Sequence, residues 1–426
     1  MIGIYKFLTF SLYPFLILLI YLRKIFKKED KIRYKEKIFS NNFNAKQKKG
    51  SKLLWFHCAS IGEFKSILPI IEELNKRKKN YEFLITTITL SSSKLAEEEL
   101  KNFTNVEHRF FPIDVKFLIE KFLLSWKPDL IFFVDSEIWP NLILSASEKK
   151  IPLILINGRI TAKSFKRWMM IPETAKHIFQ KFNMCLCSNL ETKNFLLKLN
   201  LKNIFYNGNI KLFSKINNNT RNPNEEILKR KNFWLAASTH KEEEVFCLKT
   251  HILIKKKLGN ILTIIAPRHI SRSRNIETLC KKFDLSVQII NKDDVISEDK
   301  EVVIINSFGI LQNYFKFSKS VFIGKSTIKK LENVGGQNPI DAVRLGCKIY
   351  HGPYVYNFKE VYEILKKQKI SKQVNNTEEL STNLINDFKI HIKENDKISS
   401  FIKDLGQKTL IGTMKNIDNF INNEIK

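Results

Sequence analysis

Two acidic turns carry the residues of this chain best suited to chemistry. Glu63 lies in His57-Cys58-Ala59-Ser60-Ile61-Gly62-Glu63-Phe64. The apolar run Leu53–Phe56 precedes it, and Ile67, Leu68, Ile70, Ile71 and Leu74 follow at helical spacing. A strand turning into a helix there places a carboxylate at a helix N-terminus, on the edge where α/β sheets bind ligands. Gly62 lets a ligand approach the backbone, and the free N–H groups of the first turn attract anions. The alternative is that Glu63 only answers the helix dipole. Glu137, in Asp135-Ser136-Glu137-Ile138-Trp139-Pro140-Asn141, follows the apolar run Leu130–Val134 and faces the same crevice, with Trp139 and Pro140 as a wall. Its alternative is a capping box started by Asp135 or Ser136.

Cations and small residues recur at the ends of later apolar runs. Asn157-Gly158-Arg159, with Lys163, Ser164, Lys166 and Arg167 behind it, suits a carboxylate or phosphate, or is a solvated basic loop. Ala266-Pro267-Arg268-His269 ends Ile261–Ala266 with an arginine able to neutralise a leaving phosphate. Gly324-Lys325-Ser326-Thr327 looks like part of a phosphate loop but lacks the upstream glycine, which excludes a P-loop ATPase. Gly335-Gly336-Gln337-Asn338-Pro339-Ile340-Asp341 reads as a turn opening a helix. Its N–H groups suit a phosphate, and Asp341 suits ribose hydroxyls.

The elements that must position these residues alternate along the chain. Strand-like runs fall at Leu53–Phe56, Phe83–Thr87, Leu130–Val134, Leu153–Ile156 and Met184–Cys187, with helical patterns such as Ser91–Leu100 and Lys116–Leu124 between them. After a polar linker at Ser214–Asn224 the pattern restarts at Trp234–Ala237, Ile261–Ala266, Val302–Ile305, Val321–Ile323 and Lys348–Tyr350. This predicts an α/β chain of two Rossmann-like domains, each a parallel sheet with helices on both faces, with a cleft between them. The expected boundaries are an anchor at 1–28, a first domain at 45–210 and a second at 225–426.

Composition limits the partners. Phe7–Leu22 holds no charge, and Arg23, Lys24, Lys27 and Lys28 follow at once. The segment therefore reads as a membrane anchor with the rest of the chain cytoplasmic, either as a short span or as an interfacial helix weakened for spanning by Pro14. A cleaved signal peptide is disfavoured, because no small-residue cleavage site precedes the basic cluster. The net charge of +29 is spread along all 426 residues. That distribution fits anionic headgroups or phosphorylated lipid better than nucleic acid. Six cysteines form no C-x-x-C pair and eight histidines no metal motif, so no metal is expected. Cys185-Leu186-Cys187 reads as strand core.

In order, these clusters resemble the 3-deoxy-D-manno-octulosonic acid (Kdo) transferases of lipopolysaccharide synthesis. The resemblance rests on HCASIGE at 57–63, FPID at 111–114, SEIWPN at 136–141, NGRIT at 157–161 and GNIK at 208–211. It continues through APRH at 266–269, GGQNPIDA at 335–342 and GPYVYNF at 352–358. It implies a GT-B glycosyltransferase that moves Kdo from CMP-Kdo to a lipid A precursor at the inner membrane, inverting and without a metal or other cofactor. By that resemblance Glu63 is the base. Arg268, with the backbone at Gly335 and Gly336, stabilises the departing CMP, and Asn338 and Asp341 hold its ribose and phosphate side. Pro267, His269, Gly324, Lys325 and Ser326 fall on the same sugar-nucleotide side. Glu137, Arg159 and Lys163 position the Kdo sugar or the acceptor phosphate, and Ser60, Gly62 and Lys211 line the acceptor side.

The chain departs from the family pattern at Gln337, where His is usual, and at Asp341, where Glu is usual. Ile270-Ser271-Arg272 replaces Pro-Glu-Arg after His269. Neither Glu63 nor Arg268 is lost, so an active enzyme is expected. Two rivals remain: a GT-B enzyme that uses a UDP-sugar at the same membrane face, and a catalytically silent binding homologue.

Overall fold

The computed structural model describes residues 1–45, 50–77, 79–213, 222–389 and 393–425. Most of the expected linker, 214–221, lies outside the described residues. The chain divides into two units, Met1–Lys215 with Leu405–Lys426, and Ile216–Asp404.

The first unit holds β1 Lys52–His57, β2 Tyr81–Thr87, β3 Val106–Phe110, β4 Leu130–Val134, β5 Leu153–Gly158, β6 Met184–Cys187 and β7 Ile204–Tyr206. They form one parallel sheet in the order β3-β2-β1-β4-β5-β6-β7. Strand order reverses between β1 and β4, the place where doubly wound sheets open a ligand crevice. Helices α1 Ile2–Ser11, α2 Tyr13–Ile25, α3 Ile61–Asn75, α4 Leu90–Glu99, α5 Lys116–Trp126 and α6 Pro140–Glu148 belong to this unit.

The inner strands are apolar throughout because both faces of the sheet are covered. Trp55, Ile131, Phe133 and Leu155 pack with Leu118, Phe122, Leu142 and Ile143 of α5 and α6 on one face. Leu54, Phe56, Phe132 and Ile154 pack with Phe64, Ile67, Ile70 and Ile71 of α3 on the other. Cys185 and Cys187 join the first cluster and Leu186 the second, as the period of two requires.

The second unit repeats the plan with β8 Phe233–Thr239, β9 Leu262–Pro267, β10 Val287–Ile290, β11 Val302–Ile305, β12 Ser320–Ile323, β13 Lys348–His351 and β14 Ser371–Gln373. Its parallel order is β10-β11-β9-β8-β12-β13-β14. Order again reverses beside the first strand, between β8 and β12.

Two expectations change. The second domain does not run to 426, because residues 405–426 belong to the first unit. Leu410, Met414, Ile417 and Ile421 of the long helix Lys393–Glu424 complete the apolar face built on Leu54 and Phe56. The uncharged N-terminal run is also not one helix. Among the described residues no single helix is long and apolar enough to cross a membrane; α1 and α2 meet that test only together, across a 55° bend. Pro14 accounts for the break: it has no N–H to continue α1 and occupies the first turn of α2, where none is needed.

Candidate active site

In the first unit the expected carboxylates converge on the switch point. β1 ends at His57, and Ser60 caps α3, its hydroxyl accepting from the Glu63 N–H at 3.3 Å. The Glu63 carboxylate in turn accepts from the Ala59 N–H at 2.7 Å and the Ser60 hydroxyl at 2.8 Å. It does serve the helix N-terminus, and it does more than that. Burial, followed by the charges of Asp135 and Glu137, pushes the Glu63 carboxyl up to about 7 against those two hydrogen bonds. A side chain 8 % exposed beside two other carboxylates is poised to exchange a proton near neutral pH. Cys58 beside it is no nucleophile: burial, then Glu63 and Glu137, hold its thiol well above its ordinary value.

Asp135 and Asn157, at the ends of β4 and β5, both adopt left-handed backbone (φ 60° and 53°). Such strain clusters at functional sites, and short polar side chains tolerate it best. Asn157 Nδ2 donates to Asp135 Oδ1 at 2.9 Å, and Lys211 forms an ion pair with Asp135 Oδ2. Lys211 is thus at the site, with its charge directed to a protein carboxylate. Arg159 lies one residue beyond β5, its N–H donating to the Asp135 carbonyl at 3.0 Å. Lys163 is exposed on the helix Ala162–Trp168, and Gly62 faces open space, where an added Cβ would meet nothing within 4 Å.

Glu137 is set by aromatic groups. Trp139 Nε1 donates to Glu137 Oε2 at 2.9 Å, and the indole packs against His57 and Phe111. The Thr86 hydroxyl accepts from Trp55 Nε1 and pairs with His57 Nδ1, both at 2.9 Å. The other ring nitrogen, His57 Nε2, faces Glu137 Oε2 at 3.5 Å. Asp114 of FPID anchors the chain just beyond Trp139. It accepts from the N–H groups of Asn141 and Leu142 at the start of α6 and from the Tyr5 hydroxyl of α1, each at 2.9 Å. Burial nevertheless pushes its carboxyl up to about 6.

The second unit places an anion where the sequence suggested a phosphate. Glu243, fully buried at the start of the helix Glu243–Leu258, accepts from the N–H groups of His240, Lys325, Ser326 and Thr327 at 2.6 to 3.1 Å. The Thr327 hydroxyl adds a further bond at 3.1 Å. The amides of Lys325 and Ser326 are therefore taken by Glu243. Gly324 permits this arrangement, since a Cβ would lie 2.5 Å from the Ser238 carbonyl and 2.8 Å from Glu243 Oε2.

Gly335 and Gly336 have a packing role that the sequence did not reveal. The Gly336 N–H donates to the Lys325 carbonyl at 2.6 Å, and a Cβ on Gly335 would meet the Tyr354 carbonyl at 2.3 Å. Asn338 Oδ1 accepts from the Ile340 N–H in the turn that leads into the helix Ile340–Arg344, which carries Asp341 in its first turn. Arg268 and His269 are exposed beyond Pro267, the last residue of β9, and the Arg268 N–H donates to the Thr239 carbonyl. His240, which sequence reasoning missed, packs edge-on to His269 and accepts from Gln337 Nε2 at 3.2 Å. Burial, opposed by Glu243 and aided by Lys325, His269 and Arg268, lowers its pKa. The signal that could have found His240 and Glu243 was their shared turn, three residues apart after an apolar run, as Ser60 and Glu63 are.

The sequence family described as 3-deoxy-D-manno-octulosonic-acid transferase (kdotransferase) matches residues 33–214. The 3-deoxy-D-manno-octulosonic acid transferase of Rickettsia bellii is 30 % identical over 384 residues, 89 % of each chain. The chain belongs to the Kdo transferase family. The Haemophilus influenzae Kdo transferase is 26 % identical over 76 % of each chain. Among solved structures, the chain resembles the UDP-GlcNAc 2-epimerase from Neisseria meningitidis, with a TM-score of 0.58 and 13 % identity over 85 % of this chain and all of that one. It also resembles a glycosyltransferase from Rickettsia africae, with a TM-score of 0.56 and 11 % identity over 88 % and 98 %. These likenesses show the GT-B fold. The Kdo transferase is therefore a glycosyltransferase built of two Rossmann-like units.

Proposed function

We propose that this Kdo transferase moves Kdo from CMP-Kdo to the glucosamine disaccharide of a lipid A precursor at the cytoplasmic face of the inner membrane. Glu63 removes the proton from the acceptor hydroxyl while that oxygen bonds to the anomeric carbon of Kdo. The bond from that carbon to the phosphate oxygen breaks on the opposite side, so the centre inverts and CMP departs with the electron pair. Arg268 and Lys325, at the strand ends of the second unit, face the developing phosphate charge. Glu137, held by Trp139, and Arg159 and Lys163 orient the acceptor. The observation that carries this reading is a buried Glu63 carboxyl pushed up to about 7 by burial, Asp135 and Glu137.

The test is a transfer assay with CMP-Kdo and a tetraacylated lipid A precursor, with products resolved by mass. One or more added Kdo units, lost in Glu63→Ala, support the reading. Heat protection by UDP and not by CMP would point to a different sugar nucleotide.

The pH profile has a defined sign. Glu63 is a base only when ionised, so turnover should rise with pH and level off above about 7, near its carboxyl value. Asp135→Asn removes one of the charges that raise Glu63, so the acid limb should move to lower pH. A limb that stays in place would exclude Glu63 as the titrating base.

A further inference from the structure

One stripe of the α1–α2 pair is fastened to the first unit, and the opposite stripe is bare. The fastened residues, Tyr5, Thr9, Tyr13, Ile17 and Ile20, recur every three or four positions through the bend. The Tyr5 hydroxyl donates to Asp114, Thr9 Oγ1 accepts from Asn141 Nδ2 at 3.2 Å, and the Tyr13 hydroxyl donates to the Ile38 carbonyl. Ile17 and Ile20 pack with Tyr34 and Ile38. On the other side Phe7, Leu8, Phe15, Leu18, Leu22 and Ile25 are between 42 and 68 % exposed. A contiguous apolar stripe of this kind needs a cover. Arg23, Lys24, Lys27 and Lys28 border it, which matches an anionic lipid surface.

A helix that crosses hydrocarbon gives its whole circumference to lipid. This pair instead keeps polar side chains on Asp114 and Asn141, which are 6 % and 0 % exposed, and would leave them short of partners on release. We infer that α1 and α2 lie in the plane of the bilayer surface, and that their docking is transmitted through Tyr5 and Thr9 to the turn carrying Glu137. Asp114 is the joint. It takes the Tyr5 hydroxyl and also the two N–H groups that open α6, directly after Glu137-Ile138-Trp139. Tyr5 is thus a positioning residue: it touches no substrate and acts through Asp114 on the acceptor turn. The inference rests on the reading of a lipid-borne acceptor.

The test uses full-length enzyme on vesicles of phosphatidylethanolamine and phosphatidylglycerol. All six native cysteines are buried, so a spin label reports only from an introduced Phe7→Cys or Leu22→Cys. In-plane helices put both labels at one shallow depth. A straight span would separate them by about 20 Å at 1.5 Å per residue. Unequal depths, labels that stay in water, or labels protected in a lipid-free dimer each overturn the in-plane arrangement.

Tyr5→Phe should bind the same vesicles, stay folded with a slightly lower melting temperature, and retain the acceptor KM. Its kcat should fall about tenfold, because the acceptor turn loses one of its supports. Thr9→Ala gives a second, milder break at the same joint. Unchanged kcat in both variants would overturn the transmission. The depth measurement needs neither sugar nucleotide nor acceptor, so its outcome is separate from that of the lipid A reading, which fails as absent transfer by the native enzyme.

Discussion

Glu63→Gln should lose about a thousandfold in kcat and yet melt at a higher temperature than the native enzyme above pH 7. The loss follows from removing the proton acceptor, an effect of about 10²–10⁴-fold for a positioned general base. The gain follows from linkage. The folded-state carboxyl is raised to about 7. Its stabilising contribution is therefore complete below the ordinary carboxylate range and is lost as pH climbs through about 7. Above that, the native protein carries a buried charge beside Asp135 and Glu137, at a cost on the order of 2–3 kcal/mol. Glutamine removes the charge but keeps an oxygen for the Ala59 N–H. Turnover and melting measured at pH 6 and 8 check this, and a Glu63→Gln protein with native turnover, or with reduced stability at pH 8, contradicts it.

Glu243 carries the second large effect, of opposite kind. Its carboxylate is the common partner of four backbone N–H groups and the Thr327 hydroxyl. Glu243→Ala should destabilise the second unit by about 3–5 kcal/mol, because several buried donors lose their partner together. A drop of about 10 °C in its melting follows for a unit of this size. Glu243→Gln should rescue little, since its amide presents N–H to N–H. With the Lys325–Thr327 turn released, protection by CMP should vanish as well. Calorimetry with and without CMP checks both effects, and native melting with intact protection would refute the role.

The contrast between the two glutamates explains what the sequence could and could not reveal. Both follow the first apolar run of a Rossmann unit, and sequence singled out only Glu63. Glu243 looked like one charge in Lys241-Glu242-Glu243-Glu244, because three of the four amides that saturate it lie more than 80 positions away. For the same reason the packing role of Gly324, Gly335 and Gly336 was hidden. Their glycines were visible, but the backbone and carboxylate packed against them were not.

The strands divide in the same physical way. Every inner strand shows as an apolar run. The four that do not, Val106–Phe110, Ile204–Tyr206, Val287–Ile290 and Ser371–Gln373, are the edges of the two sheets. Val106–Phe110 and Ser371–Gln373 are polar, and Ile204–Tyr206 and Val287–Ile290 are only three and four residues long; short or polar edges discourage pairing with other chains and weaken the signal. The convergence of Glu63 and Glu137 was legible because each follows an inner strand next to the switch point, whereas Asp135 had read only as a cap. The fastening of Tyr5 to Asp114 was not, since nothing local in Phe-Pro-Ile-Asp announces a partner 109 residues away.

The helix Lys393–Glu424 imposes an order on synthesis. Leu410, Met414, Ile417 and Ile421 complete the apolar face of the sheet that begins with Lys52. A ribosome adding about 5–20 residues per second needs roughly 10–40 s to travel from the last strand of that sheet to these residues. Through that interval the nascent first unit has an incompletely covered apolar face, while the whole sheet of the unit encoded later is made, ending at Gln373, before Leu410 is added. The half made first is therefore the half finished last, and it depends on whatever shelters emerging chains.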